Sequence, residues 1–410
     1  MAYKITYLHT EGTRIVDERG KRIVLKGVNL GGWLMMEGYM FGGRNISEHE
    51  LRASVGKELG KEALTEFTRA FRDTFIREDD IKIIKSWGAN CIRIPFNYRL
   101  IECEEGARGV NREGLSYLDR AVKWCEKHNI YCILDMHAAP GAQNCAWHSD
   151  SYGKAALFTS EANKSRYVRL WRFLADRYQG SAAVAGYDVL NEPVVGLREE
   201  GELKELYGRV VQAIRSADKK HIIFLEGNIL AQRINFLGKP ADHNTVYSMH
   251  AYPSLDFTHN FEIGLQYPGT AHGIRWDRDS LERLAATFTS FMNKHQVPLY
   301  VGEFGVNARG GHAGEVRWVE DIISIFTENH LSWTYWTYKT IANYAFPDGI
   351  YRYLANPAWV NRQGPVSGCE TFAGLWPTAK SKMTRSWRTE NFVRNDTIYA
   401  VLRKYFLRVL

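Results

Sequence analysis

Residues 131–137 read Tyr-Cys-Ile-Leu-Asp-Met-His, an apolar run that ends in polar side chains. Seven further runs of this kind lie on either side of it along the chain. Runs rich in β-branched and aromatic residues are typical of strands buried on both faces. The eight predicted strands are 23–30, 90–96, 131–137, 185–191, 221–226, 245–252, 298–306 and 332–338.

Helical segments separate these strands. The predicted helices are 78–86, 117–128, 164–178, 202–215, 278–294 and 316–329. Strands that alternate with helices form a parallel sheet, and eight is the number that closes a (β/α)8 barrel. No GxGxxG follows the first strand, which argues against a doubly wound sheet. The sequence therefore predicts an α/β protein with a TIM barrel.

The whole chain, 1–410, is predicted to be one catalytic domain, with the barrel at about 20–340. Three segments extend this barrel. Residues 3–20 are expected to form a hairpin before the first strand, and residues 38–75 a long polar excursion after it. An aromatic-rich loop is expected at 340–390, and a C-terminal helix at 395–408.

The composition is that of a folded protein, with 45% hydrophobic residues. Lys and Arg exceed Asp and Glu by 53 to 46, but the excess is spread along the chain, so no nucleic-acid partner is expected. The aromatic residues are numerous (12 Trp, 22 Tyr and 19 Phe), and such rings stack on the apolar faces of sugars. No apolar run is long enough for a membrane span, so no membrane partner is expected.

The cysteines and the first residues bear on the compartment. Cys91, Cys125 and Cys132 lie in apolar stretches and are interpreted as reduced core thiols, and the six cysteines form no CxxC pair. The opening MAYKITYLHT lacks the pattern of a secretory leader. We expect a cytoplasmic protein from the sequence as written, or a secreted one if a leader was removed.

Polar side chains follow the predicted strands at their carboxyl ends, where TIM barrels place their active sites. Glu192 and Glu303 are the two carboxylates whose positions suit glycoside cleavage, which needs one protonated and one ionised carboxyl group. We predict that Glu192 is the general acid/base and Glu303 the nucleophile. Arg93 is expected to hold Glu303 ionised, and Tyr252 to donate a hydrogen bond to it.

Further strand-end residues are candidates for binding the sugar. Asn191 is placed to bond a 2-hydroxyl group, and Trp336 to form the floor on which the reacting sugar stacks. His137 and His250 are expected to bond Glu192 or sugar hydroxyls. Trp147 is a candidate for stacking on sugars in outer subsites.

Other residues leave alternatives open. Glu226 is equally consistent with a structural role and with sugar binding. His148 and Asp150 are expected to line a loop, and Trp276 and Trp376 either bind outer sugars or pack their own loops. No HxH or HExxH occurs, so no metal site is expected.

Seven motifs in one order resemble glycoside hydrolase family 5, the retaining (β/α)8 enzymes of clan A. They are GVNLGGWL, CIRIPF, LDMHAAPGAQN, LNEP, HAY, GEFG and WTYWTYK, and they extend over about residues 20–340. The resemblance places the acid/base on Glu192 and the nucleophile on Glu303. It implies retention of anomeric configuration by double displacement, without a cofactor. The supporting residues that it implies are Arg93, His137, Asn191, His250, Tyr252 and Trp336.

Within that family the chain is most similar to the exo-β-1,3-glucanase group, in which Glu37 matches a sugar-binding carboxylate. The resemblance implies binding of a terminal glucose of a β-linked glucan or glucoside. The sequence does not determine the oligomeric state, and a monomer is expected. An endo-β-1,4-glucanase and a broader β-glycosidase or transglycosylase remain alternatives. A non-catalytic carbohydrate-binding barrel would lack one of the two carboxylates, and both are present.

Overall fold

A computed structural model describes residues 4–41, 45–102, 109–341, 345–353 and 373–408. Eight parallel strands close into a barrel, each hydrogen-bonded to the next and the last to the first. In chain order these first to eighth barrel strands are Lys26–Asn29, Cys91–Asn97, Tyr131–Ala138, Val184–Asp188, Ile222–Glu226, Thr245–His250, Leu299–Phe304 and Ser332–Tyr335. The predicted TIM barrel is confirmed, and the observed bounds differ from the predicted ones by at most three residues.

Helices cover the outside of the barrel. The helices that follow barrel strands are Arg112–Lys127, Glu161–Tyr178, Glu200–Ala217, Arg278–His295 and Glu315–Glu328, and Glu78–Ser86 precedes the second strand. These helices cover the outer face of the strands, while the strand side chains that point inward fill the barrel. Almost every side chain of the barrel strands is therefore buried. The parallel order brings the carboxyl ends of all eight strands to one rim.

The opposite end of the barrel is closed by an N-terminal hairpin. Its strands, Leu8–Glu11 and Arg14–Asp17, pair in antiparallel fashion. Leu8 and Ile15 are buried in one apolar cluster with barrel residues such as Tyr131. The hairpin therefore makes this end part of the core and leaves the other rim for the site.

The excursion after the first strand is largely helical. Two helices, Glu48–Leu59 and Lys61–Phe75, occupy most of it. In the second helix Phe67, Phe71 and Phe75 are buried at a spacing of four residues. This apolar stripe faces the core while the other face stays polar, as in an amphipathic helix.

The C-terminal part of the chain adds a small sheet and two helices. The sheet strands are Lys339–Ile341, Tyr351–Tyr353 and Val393–Arg394, and the helices are Trp376–Ser386 and Asp396–Phe406. Residues 342–344 and 354–372 of the aromatic-rich loop lie outside the described residues. Among the described residues, no helix is both long and apolar enough to cross a membrane.

Candidate active site

A fully buried arginine on the second strand organises the strand-end carboxylates. The guanidinium of Arg93 donates to Asp188 at 2.9 Å, to Glu226 at 3.0 Å and to Glu303 at 2.8 Å. It also lies 3.1 Å from Asp135. Burial disfavours its charge, but these carboxylates outweigh burial and raise the pKa of Arg93 well above its usual value. Arg93 is therefore a permanent cation at the floor of the site.

Glu303 lies at the rim end of the seventh strand, between two donors. Its Oε1 accepts from Arg93, and its Oε2 accepts from the hydroxyl of Tyr252 at 3.0 Å. Only 7% of its side chain is exposed. Hydrogen bonds of this kind stabilise and orient a carboxylate, which is the state that a nucleophile needs.

Glu192 follows the fourth strand with an unusual backbone. Its φ of 48° lies in the left-handed region, which residues other than glycine adopt rarely. Its backbone N–H donates to Oε2 of Glu226 at 2.7 Å, and its carbonyl accepts from Asn144 at 2.9 Å. These two bonds fix the direction in which the Glu192 side chain leaves the chain.

Two imidazoles contact the Glu192 carboxyl group, one at each oxygen. His250 Nδ1 lies 2.7 Å from Oε1, and His148 Nε2 lies 3.1 Å from Oε2. Burial raises the pKa of Glu192, but with both imidazoles as donors their hydrogen bonds and charges hold it well below its usual range. Burial alone would lower the pKa of His250, whereas Glu226, Glu303 and Glu192 raise it well above 6.5.

The two candidate catalytic carboxyl groups face each other closely. One oxygen each of Glu192 and Glu303 and a nitrogen of His250 all lie within 4.8 Å of one another. Oxygens of Asp135, Asp188 and Glu226 form a second set of this kind. Such sets suit a metal ion geometrically. In the second set Arg93 contacts all three carboxylates, and in the first the positive charge of His250, one of its members, faces the two carboxyl groups.

A compact group of side chains beside the carboxyl pair comes from the third strand and from the segments that follow the fourth and eighth strands. The rings of His137 and Trp336 stack in parallel, with centroids 5.5 Å apart. His137 Nδ1 lies 2.7 Å from Asp135, and burial lowers the pKa of His137 to about 3, so its imidazole is neutral. Asn191 donates to His137 Nε2 at 3.4 Å and accepts from Arg93, which matches a neutral ring with its proton on Nδ1.

Glu37 borders the same group. Its carboxyl oxygen lies 3.7 Å from His137 Nε2, and this oxygen is buried without a hydrogen-bond partner among the described residues. Burial, followed by the negative charges of Glu303 and Glu192, raises the pKa of Glu37 well above its usual value. A buried polar atom without a partner is expected where a ligand supplies one.

Aromatic rings from three separate loops meet above this group. Tyr39 follows the first strand, Trp147 the third and Phe346 the eighth, and their ring centroids lie 4.8–6.1 Å apart. Trp336 Nε1 donates to the Tyr39 hydroxyl at 2.6 Å. The backbone N–H of Phe346 donates to the backbone carbonyl of His259, which lies in the loop after the sixth strand. We call Tyr39, Trp147 and Phe346 the aromatic roof.

The structure places all ten residues predicted for the site at the same rim, but some contacts differ from expectation. His137 contacts Asp135 and not Glu192. Glu226 is fully buried among Arg93, His250 and the Glu192 backbone, which supports a structural role. Trp376 is buried and donates to Glu66, so it packs its own segment.

Sequence reasoning missed several residues of the site. His148 was assigned to a loop lining, whereas it contacts Glu192. Asp135 and Asp188 were not proposed, although both contact Arg93. Their acidic character inside apolar strands was an available signal, because a buried charge needs a partner. Nothing in the sequence indicated that His148 turns back towards the fourth strand.

The chain is similar to known proteins over most of its length. Residues 55–341 match the family described as cellulase (glycosyl hydrolase family 5). A β-xylosidase of Phanerodontia chrysosporium is 35% identical over 350 residues, covering 82% of this chain and 71% of that protein. Endoglucanase C of Acetivibrio thermocellus is 28% identical, covering 76% and 90%. A probable glucan 1,3-β-glucosidase A of Aspergillus fumigatus is 28% identical, covering 68% and 65%.

Proposed function

The chain belongs to glycosyl hydrolase family 5 and is an O-glycosyl hydrolase, and from this premise we propose that it removes terminal sugars from β-glucans or β-glucosides with retention of configuration. The relatives include proteins named as a β-xylosidase, an endoglucanase and a glucan 1,3-β-glucosidase. Their names differ in sugar and in mode of attack. The geometry of the site favours cleavage of the bond to the terminal sugar of a β-glucan or β-glucoside.

The separation of Glu192 and Glu303 carries the proposal of retention. Their nearest oxygens lie within 4.8 Å. Retaining enzymes hold the two carboxyl groups about 5–5.5 Å apart, whereas inverting enzymes leave about 6.5–9.5 Å for a water molecule. A gap of this size suits direct attack by one carboxylate on the anomeric carbon and lies below the range of inverting enzymes.

The surroundings of each carboxyl group support its proposed role. Glu303 accepts from Arg93 and Tyr252, so both of its oxygens are held in place for attack. Glu192 is the acid/base: it protonates the leaving oxygen in the first step and takes a proton from water in the second. His250 lies beside both carboxyl groups and balances their charge.

The group around Trp336 and His137 is proposed to bind the sugar that reacts. Trp336 offers an indole, Glu37 a carboxyl oxygen without a hydrogen-bond partner among the described residues, and Asn191 an amide that can bond a 2-hydroxyl group. Such contacts strengthen as the ring distorts towards the transition state. One chain supplies every group, so we also propose that the protein acts as a monomer.

The aromatic roof supports attack at a chain end. A polysaccharide that crosses an open cleft needs free space on both sides of the cleaved bond. Here Tyr39, Trp147 and Phe346 from separate loops are in mutual ring contact over the sugar-binding side. We infer that this side is a closed pocket for one terminal sugar and that the rest of the substrate extends past Glu192.

The test is a time course of products from a β-1,3-glucan, a β-1,4-glucan and a β-xylan, analysed side by side. We expect a single sugar from the first time point, released from a glucan as the β-anomer in proton NMR. Early release of mid-length oligomers would overturn attack at the chain end, and α-anomer release would overturn retention. Xylose as the preferred product would replace glucose as the sugar, and products longer than the substrate would indicate transfer to sugar in place of water.

A further inference from the structure

Large apolar side chains that are exposed to solvent gather at the rim that carries the site. Among the described residues there are twelve such side chains, and eight of them lie in the segments that follow the third to sixth strands. These eight are Tyr152, Val194, Leu197, Ile229, Leu255, Phe261, Ile263 and Ile274. Single exposed apolar residues need no explanation, but a group of them around the mouth of a site indicates contact with an apolar ligand.

Ile229 is held in a backbone conformation that disfavours its side chain. Its φ and ψ are 53° and 64°, those of Leu230 are 55° and 49°, and the φ of Ala231 is 59°. The left-handed region is costly for residues with a Cβ atom, and a β-branched residue there is an outlier. The Ile229 side chain is nevertheless 42% exposed, so burial does not compensate for this strain. Strain of this kind is concentrated at functional sites.

The strained turn that contains Ile229 is bonded to residues 193–195, which directly follow Glu192. The amide of Asn228 accepts from the backbone N–H of Val195 and donates to its carbonyl, each at 3.0 Å. The backbone N–H of the residue after Ile229 donates to the carbonyl of the residue after Glu192 at 3.4 Å. The exposed isoleucine is therefore anchored to the segment that carries the proposed acid/base.

A cavity of about 370 Å³ lies next to this turn. Gln232 of the turn lines it, together with Leu255 after the sixth strand and Ile274 of the hairpin 269–276. His250 and Tyr252, which contact the two candidate catalytic carboxyl groups, line it as well. Much of the remaining wall is apolar and consists of Met249, Trp276, Leu284 and Phe288. Its volume and its mostly apolar wall are typical of sites for small ligands.

The exposed side chains here differ in chemistry from those on the sugar-binding side. The aromatic roof and Trp336 offer flat rings, whereas this side offers the branched aliphatic groups of Val194, Ile229, Leu255 and Ile274. Aliphatic groups supply no hydrogen-bond partner for the hydroxyls of a sugar, so covering those hydroxyls is unfavourable. An alkyl chain has no such groups and gains from leaving water. We call these four residues the apolar collar.

We propose that the apolar collar and the adjoining cavity bind the leaving group, and that this group is the alkyl chain of a β-glucoside of an apolar alcohol. The inference rests on the proposed function and names a substrate class for its site. In the first step the proton of Glu192 passes to the oxygen of the alcohol, the bond from that oxygen to the anomeric carbon breaks, and an oxygen of Glu303 bonds to this carbon. Water then displaces Glu303, and the proton of water returns to Glu192.

The activity test measures kcat/KM for ethyl, butyl and hexyl β-glucosides. The three alcohols have similar acidity, so the series reports on burial of the chain. We expect kcat/KM to rise about two- to fourfold for each added methylene group. No rise from ethyl to hexyl would overturn the proposal. A β-linked diglucoside that is cleaved better than the hexyl glucoside would also overturn it, because this side would then bind a sugar.

A double variant, Ile229→Asn with Ile274→Thr, tests the collar itself. Asn adopts the left-handed conformation more readily than Ile, and Thr keeps the branched shape, so neither change disturbs the backbone. We expect the rise per methylene group to fall by at least about half, because part of the apolar contact is lost. Val393→Asn, which changes a side chain that is 51% exposed on the small C-terminal sheet, is the control and should keep the wild-type series. An unchanged series in the double variant would overturn the proposal.

A second measurement needs no turnover. Calorimetry compares the binding of ethyl and hexyl β-thioglucosides, which resist cleavage, and we expect the hexyl compound to bind at least about tenfold more tightly to the wild type. Equal affinities would overturn the proposal. A wild-type dimer that the double variant converts to a monomer, measured by sedimentation, would show that the collar binds a second copy of the chain and would overturn it too. If the wild type cleaves no glycoside, the proposed function fails, while the thioglucosides still decide whether the collar binds an alkyl chain.

Discussion

Arg93 Nη1 and Glu303 Oε1 lie 2.8 Å apart, with the arginine fully buried. The same guanidinium pairs with Asp135, Asp188 and Glu226. One residue thus both orients the proposed nucleophile and neutralises the carboxylates beneath it. Stability and catalysis therefore depend on the same side chain.

Replacing this arginine is expected to affect both properties. Arg93→Lys leaves several buried carboxylates without a donor, because an ammonium group cannot reproduce the planar set of five N–H groups. We expect a loss of about 3–5 kcal/mol in the free energy of unfolding, measured by urea denaturation, together with loss of turnover. Arg69→Lys, in an exposed pair with Glu113, is the matched control and should leave both nearly unchanged. A stable variant with normal turnover would contradict this account of Arg93.

Loss of the proposed acid/base should depend on the leaving group. In Glu192→Ala, cleavage of an unactivated disaccharide should fall far more than the first step on an activated aryl glycoside, which needs no proton. Glu303→Ala should lose both, because no glycosyl-enzyme forms. Pre-steady-state release of the aryl group measures the first step. Equal losses for the two substrates in the Glu192 variant would show that this residue is not the acid.

The hydroxyl of Tyr252 is expected to contribute to the reactivity of Glu303. Tyr252→Phe removes one hydrogen bond to Oε2 of that carboxyl group and keeps the ring. A hydrogen bond to a charged group contributes about 1.5–3 kcal/mol, which corresponds to a fall in kcat/KM of about 10- to 150-fold. Tyr267→Phe, which removes a bond to Asp321, serves as the control. If both variants kept wild-type kinetics, Tyr252 would have no part in positioning Glu303.

The aromatic roof is expected to determine the product pattern. Phe346→Ala removes the ring that contacts both Tyr39 and Trp147. Opening this side should let longer glucan segments bind, so oligomers should appear among the early products. Chromatography of a β-1,3-glucan digest measures this, with Phe173→Ala, a half-buried ring on a helix, as the control. A product pattern that stays a single sugar would show that the roof does not close the pocket.

The charge on His250 predicts a pH dependence of stability. Its pKa in the folded protein is raised well above 6.5 by Glu226, Glu303 and Glu192, against the effect of burial. A group with a raised pKa stabilises the fold fully below its unfolded pKa, and this stabilisation is lost as pH rises through the folded value. The difference in unfolding free energy between the wild type and His250→Gln should therefore narrow as pH rises from neutral to alkaline, measured by denaturation at each pH. A difference that stays constant over this range would mean that His250 is neutral in the folded protein.

Much of the fold and part of the site follow from sequence patterns alone. Apolar runs of six to nine residues with polar ends predict strands buried on both faces, and the alternation of eight such strands with helices predicts a parallel barrel. Because a parallel barrel brings all carboxyl ends to one rim, the positions of Glu192 after its strand and of Glu303 and Arg93 within theirs were enough to predict that they lie together.

Other features of the site were decided only by the tertiary structure. The left-handed backbone of Glu192 depends on bonds to Glu226 and Asn144, which come from two other strands or loops. The contact of His148 with Glu192 and the meeting of Tyr39 with Phe346 join loops far apart in sequence.

The physical reason for this division is the range of the interactions. A strand's hydrophobic pattern is local, and the barrel geometry that it requires is shared by every such pattern, so sequence alone determined the fold and the rim. The path of a loop and the direction of a hydrogen bond depend on which distant groups are present to accept or donate. For this protein, the sequence determined which carboxyl groups face one another, and only the tertiary structure decided which neighbours set their protonation and how the pocket is closed.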